Sequence, residues 1–211
     1  MTKEKFIRHV LSVTDEGWAS LDAGMAYDAL TYNNVLLCAE SAMRWLAVNA
    51  PDDMLSGSDE VGEAGMVVSG GLTETGGAIT LPTDYIRLIR IKRGSWKKSL
   101  GQKDVIEESS DDYMMRQYDP QMGTEDHPYV VQVNGAVRKL IAMPQGNGLE
   151  IDYVSVPDLN TSGSSFPIPP KLKNALIYYT AYLILVGYGD TKAQSVLSVV
   201  YSELGITPQK K

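Results

Sequence analysis

The sequence predicts an α+β fold: a helical bundle formed by both chain ends, with an antiparallel β meander inserted between them. Three observations predict it. Apolar residues recur at helical spacing near both ends of the chain. In the middle they alternate with a period of two. Turn-forming runs, Asn134-Gly135 and Pro144-Gln145-Gly146-Asn147-Gly148, punctuate that alternating stretch.

The elements follow in order. Thr2 is placed to cap a short helix in which Phe6, Ile7, Val10 and Leu11 share one side. Thr14-Asp15-Glu16-Gly17 breaks it, and a second helical piece is expected from Met25 to Thr31. Asn33 or Asn34 offers a cap for a stronger helix from Val35 to Asn49, with Val35, Cys38, Ala42, Trp45 and Leu46 on one face. Pro51 ends it. Residues 52–77 carry carboxylates and glycines with no Lys or Arg, and read as a loop or a weak hairpin around Met66-Val67-Val68.

Ile79 and Leu81 then alternate, Pro82 and Asp84 mark a turn, and Tyr85 to Arg93 is a strand whose alternation changes phase, as in a bulge or in a strand with both faces partly covered. An acidic segment, 104–126, holds a short helix around Asp111 to Tyr118. Val130 to Val133 and Ala136 to Ile141 flank the Asn134-Gly135 turn as a hairpin, and Leu149 to Val156 is expected to complete a three-stranded meander. A Ser/Pro/Gly linker, 157–168, leads to Pro169-Pro170 and a helix from Lys171 to Val186 lined by Leu172, Leu176, Tyr179 and Leu183. Gly187 to Gly189 break that helix. Asp190 caps a last one, striped by Ala193, Val196, Leu197, Val200 and Leu204 and ended by Gly205 and Pro208. The organisation predicted is a helical bundle from 1–51 and 169–211, with 52–168 as a β-rich insertion.

Composition narrows the function. Met1-Thr2-Lys3-Glu4-Lys5 opens no apolar run, so no secretory signal is expected. The apolar stretch Ala175 to Gly187 is too short to cross a bilayer. The single cysteine, Cys38, sits in an apolar helical pattern and reads as a core thiol. A net charge of -7 argues against a high-affinity nucleic-acid binder, which displaces counterions with a basic surface. Neither His9 nor His127 forms a motif with Cys38, and HExxH, CxxC, GxSxG and GxxxxGK[ST] are all missing. Gly146-Asn147-Gly148 joins strands rather than opening a helix, unlike a dinucleotide loop. Asp111-Asp112 and Asp59-Glu60 are the carboxylate pairs from which a metal or acid–base site could be built, though neither has calcium-loop spacing. No catalytic residue, metal or cofactor is therefore assigned.

Charge is segregated along the middle of the chain. From Tyr85 to Lys103 the charged residues are Arg87, Arg90, Lys92, Arg93, Lys97, Lys98 and Lys103, with Trp96 among them and no acid; 104–126 then turns acidic with only Arg116 against it. Three readings compete: a solvated, charge-protected edge strand, a basic face meeting the acidic face of a neighbouring copy, or contact with nucleic acid. On the second reading the candidate subunit-interface residues are Arg87, Arg90, Lys92, Arg93, Trp96, Asp111 and Asp112. Twelve tyrosines against two phenylalanines suit half-buried contacts, although Tyr178, Tyr179 and Tyr182 also fit a helix core.

The order of short motifs points to a family. Leu81-Pro82-Thr83-Asp84-Tyr85 opens a strand ending in basic residues. Asp126-His127-Pro128-Tyr129 precedes the hairpin with Ile141-Ala142-Met143-Pro144, and Ile151-Asp152-Tyr153 lies in the next strand. Phe166-Pro167-Ile168-Pro169 then introduces a Tyr/Ala/Leu helix ending in Gly187-Tyr188-Gly189-Asp190. This order resembles the head-to-tail adaptor proteins of short-tailed phages, the tail tubular protein A type, and is similar above all to the ring proteins of crAss-like phages. The resemblance covers most of residues 25–204. It implies a structural virion protein of the neck, made in the host cytoplasm, without an active site. Its partners would be other copies of itself in a dodecameric ring, the portal, and further tail or ring proteins. Genomic DNA would pass through the lumen without specific binding, and no membrane is involved. Two other classes remain open on the residues alone: a nucleic-acid-binding module using 85–103, and a carboxylate-based phage enzyme.

Overall fold

The computed structural model describes residues 1–14, 29–56, 65–70, 72, 74–75, 77–119, 121–146, 148–156 and 168–207. It is an α+β fold with helices at both ends of the chain. Two compact units divide it: Met1–Met66 together with Val156–Lys211, and Val67–Ser155.

The first unit is helical. α1 (Lys3–Val13) starts where Thr2 Oγ1 accepts the Lys5 N–H at 3.2 Å, and buries Phe6, Ile7, Val10 and Leu11, the side that its spacing predicts. α2 runs unbroken over Ala29–Asn49, so Asn33 and Asn34 lie within it rather than capping it. Both are exposed. An asparagine facing solvent inside a helix costs at most about 0.7 kcal/mol, less than the apolar side of α2 returns by burying Val35, Ala39, Met43 and Leu46. The expected helical piece from Met25 lies outside the described residues apart from its end, which belongs to α2. α3 (Asp52–Leu55) follows Pro51 and buries Leu55.

From the other end of the chain, a 3-10 turn over Pro170–Leu172 leads into α5 (Lys173–Tyr188), which packs against α1, α2 and α6 (Ala193–Leu204). The Ser/Pro/Gly linker before it falls outside the described residues except for Ile168. Gly189, at φ +69°, closes α5 in the left-handed conformation that a side chain resists. Asp190 Oδ1 accepts the Lys192 N–H at 2.8 Å ahead of α6. Trp45 stacks on Tyr179 with ring centroids 4.1 Å apart, and meets Tyr201 edge-on at 6.3 Å, so this part of the tyrosine set is helix core. Cys38 is half-buried, and burial pushes its thiol pKa up.

The second unit holds two sheets. One has the order β1 (Val67–Ser69), β8 (Leu149–Ser155), β4 (Tyr85–Arg93), antiparallel throughout. The other runs β2 (Glu74–Thr75), β3 (Ala78–Thr80), β7 (Arg138–Met143), β6 (Tyr129–Asn134), β5 (Val105–Glu107), antiparallel except for the parallel β5–β6 pair. Leu88, Ile91 and Ile151 from the first sheet and Ile79, Val130, Leu140 and Ala142 from the second form one core. Because side chains alternate, Tyr129 and Val131 face the far side of the second sheet. There they join Ile106, with Tyr113 of α4 (Asp111–Tyr118) laid against them.

Three local expectations change here. The β6–β7 hairpin forms, but β8 does not extend it into a meander; it crosses to the other sheet. Opposite charges favour that pairing, since Arg90 faces Asp152 and Lys92 faces Glu150 across the strands. The turn is also longer than two residues: Asn134 pairs with Arg138, leaving Gly135 to Val137 as the loop. Lastly, β1 pairs with β8 rather than folding into a local hairpin. The bulge expected in β4 is present as register shifts between Tyr85 and Arg87 and between Leu88 and Arg90.

Candidate interaction surfaces

β4 lies at the edge of its sheet, and its bulged strand carries four of the cations singled out above. Part of its open edge is covered. Ile91 and Leu100 exchange backbone hydrogen bonds at 2.8 and 2.9 Å, and the Leu88 N–H donates to Gln102 Oε1 at 2.8 Å. Arg90 Nε donates to Asp152 Oδ2 at 2.8 Å, with Glu150 at 3.7 Å. That hydrogen bond and the Asp152 charge push the Arg90 pKa further up. Lys97 Nζ sits 2.5 Å from Asp126 Oδ1, an exposed pair that holds the Asp126 carboxyl below its usual range.

Arg93 and Trp96 lie elsewhere than an interface requires. Arg93 is 1% exposed and Trp96 3%, so neither presents a surface. Arg93 Nη2 donates to both carboxylate oxygens of Glu74 at 3.0 Å, Nη1 donates to the Gly146 carbonyl, and the guanidinium sits over the Trp96 ring at 5.8 Å. The residue therefore ties the end of β4 to β2 of the other sheet. A buried arginine is explained by its carboxylate, and Glu74 stands far off in sequence with no local pattern to announce the partnership. Among the described residues Arg93 Nε, Trp96 Nε1 and Tyr85 Oη have no hydrogen-bond partner.

Of the remaining interface candidates, Arg87, Arg90 and Lys92 stay on β4, Arg90 exposed and the other two partly so. Asp111 and Asp112 open α4, where a helix N-terminus favours negative charge. Asp112 Oδ2 is 3.3 Å from Arg116 Nη2 one turn on. Lys98, Lys103, Asp112 and Arg116 line a common cleft of about 410 Å³ beside β5, so basic and acidic segments do meet within one copy. The other carboxylate pair, Asp59-Glu60, lies outside the described residues. Among the described residues no three His, Cys, Asp or Glu side chains gather as metal ligands, and no helix is long and apolar enough to cross a membrane.

Exposed apolar side chains stand on both units. Leu37 and Val48 on α2, Val186 and Tyr188 near the end of α5, and Val199 on α6 belong to the helical unit. Met114, Met115 and Tyr118 project from α4, which has no buried residue. The sequence singled out the carboxylates of that segment but not these three, although Met-Met followed by Tyr on a short acidic helix was the available signal.

A family model for the SU10 adaptor protein matches residues 63–202, from ahead of β1 through most of α6. The chain belongs to the SU10 adaptor family. The adaptor is accordingly a structural protein of a phage virion, and its contacts are with other head and tail proteins of the phage. No curated protein matches the chain.

Proposed function

We propose that this adaptor assembles into a dodecameric ring between the portal and the tail, and works by holding proteins together rather than by catalysis. The observation that carries the reading is the family match, which spans the whole β unit and continues into the last helices. The helical unit, 1–66 with 156–211, is the ring body in this reading, and its exposed Leu37, Val48, Val186 and Val199 are apolar contact area for neighbouring copies. Arg87 and Lys92 on β4 face the adjacent copy. The similarity to crAss-like ring proteins sets the expected neighbours as the portal on one side and a further tail or ring protein on the other. A chain of net charge -7 suits a lumen through which DNA slides without sticking.

A nucleic-acid-binding role for 85–103 has less support, because Arg90, Arg93 and Lys97 are each engaged by carboxylates of the same chain. The test is assembly. Mass photometry and electron-microscopic class averages of the full chain, alone and with the portal of its own phage, should show a closed ring. Monomers under both conditions would refute the proposal.

A further inference from the structure

α4 is held to the β unit through Tyr113, which packs on Ile106, Tyr129 and Val131. Three apolar side chains of the helix lie outside that contact. Met114, Met115 and Tyr118 are 56%, 66% and 82% exposed. Their spacing puts Tyr118 between the two methionines around the helix, so the three form one apolar side. Isolated exposed apolar residues are ordinary, but three long ones gathered on two turns are a contact surface in search of cover. Met and Tyr are suited to it: methionine adapts to an irregular groove, and tyrosine supplies rigid area at interface centres.

The surroundings of that side are acidic. Glu107 and Glu108 precede the helix, Asp111 and Asp112 open it, and Asp119 follows it; all five are exposed. The cation on the helix, Arg116, is matched by Asp112. A surface that accepts this helix must therefore pair an apolar groove with a cationic rim. Another copy of this chain is a poor match, since its net charge is -7 and Arg90, Arg93 and Lys97 of its basic segment are engaged by its own carboxylates.

We propose that α4 is a docking helix whose Met114, Met115 and Tyr118 side enters an apolar groove rimmed by lysine or arginine on a second protein of the virion. This rests on the adaptor reading above and adds to it which surface meets a protein other than itself.

The experiment uses the full chain with the purified portal and, separately, the purified adjoining tail protein of the same phage. One of the two should bind the unaltered chain, and hydrogen exchange over residues 111–118 should slow on binding. The variant Met114→Ala/Met115→Ala/Tyr118→Ala should bind that neighbour at least about tenfold more weakly, with ring formation by mass photometry and far-UV circular dichroism unchanged. Asp111→Asn/Asp112→Asn should weaken binding several-fold and flatten its salt dependence. Binding of the triple variant at unaltered affinity, or unslowed exchange over 111–118 in the complex, overturns the proposal. So does loss of ring formation by a folded triple variant, which would make α4 a contact between copies. If the unaltered chain neither forms rings nor binds either neighbour, the adaptor reading itself fails; if it does both and only α4 proves indifferent, that reading stands and this one falls.

Discussion

Removing one carboxylate should loosen one end of the β unit. Glu74→Ala deletes both oxygens that Arg93 Nη2 reaches at 3.0 Å. The arginine, 1% exposed in the unaltered chain, keeps a carbonyl and an indole face as its remaining partners. Breaking a buried ion pair from one side costs about 3–5 kcal/mol, because the surviving charge is left uncompensated. The Gly146 carbonyl and the Trp96 ring persist, and Glu74 itself is 16% exposed, so the lower end applies, about 3 kcal/mol. Hydrogen exchange of β4 and β8 peptides reads that number locally, without assuming that the two units unfold together. Exchange there should accelerate by about a hundredfold. The double replacement Glu74→Leu/Arg93→Met removes both charges and should recover most of the loss, since an apolar pair of similar size needs no desolvated partner. An acceleration below about threefold in Glu74→Ala would show that the pair behaves as a surface contact and would refute this account.

Two further outcomes follow from burial and backbone geometry. Tyr85 and Tyr179 are both pushed up to about 12, Tyr85 by burial against a partial opposing effect of Arg138, and Tyr179 by burial with Tyr182 and Tyr201 adding to it. Since the folded value lies above the unfolded one near 10, their contribution to stability is complete below about pH 10 and is lost as pH rises towards 12. Spectrophotometric titration should accordingly show two tyrosines ionising last, together with unfolding; all tyrosines titrating near pH 10 in the folded chain would contradict it. Gly189→Ala forces a Cβ into a φ of +69° and should lower the stability of the α5 end by about 1 kcal/mol, read as an earlier urea midpoint at 222 nm.

What the sequence made legible was local. Thr2 caps the first helix, α4 occupies Asp111–Tyr118, and the β6–β7 hairpin surrounds Asn134 and Gly135, because caps, short helical patterns and turns depend on residues a few positions apart. The failures are long-range. β5, three residues long, pairs parallel with β6 across the whole acidic segment, and nothing in Val105, Ile106 and Glu107 names that partner. β8 has the alternation of a meander strand, but pairing is decided by what lies opposite, and the carboxylates at 150 and 152 find their cations on β4. Asn33 and Asn34 misplace a helix start because propensity is weaker than the burial of the side opposite them. Arg93 looks like its basic neighbours in sequence; only the position of Glu74 in space separates a buried clamp from a surface charge.

Segregated charge in a sequence is commonly taken to mean contact between molecules, and here it has a second use inside one. Arg90 opposite Asp152 and Lys92 opposite Glu150 add little stability as exposed cross-strand pairs, about 0–1 kcal/mol each. Their effect is on alignment. A one-residue slip of β8 would separate both pairs and would also turn Ile151 and Tyr153 away from the core that they share with Leu88 and Ile91. Charge and burial thus select the same register in a bulged edge pair, where hydrogen bonding alone tolerates alternatives. Arg90, held by both carboxylates, is correspondingly less available to a polyanion or to another subunit. Among the features of the β unit this leaves α4, whose Met114, Met115 and Tyr118 stay exposed beyond the Tyr113 contact, as the surface proposed above for outside recognition.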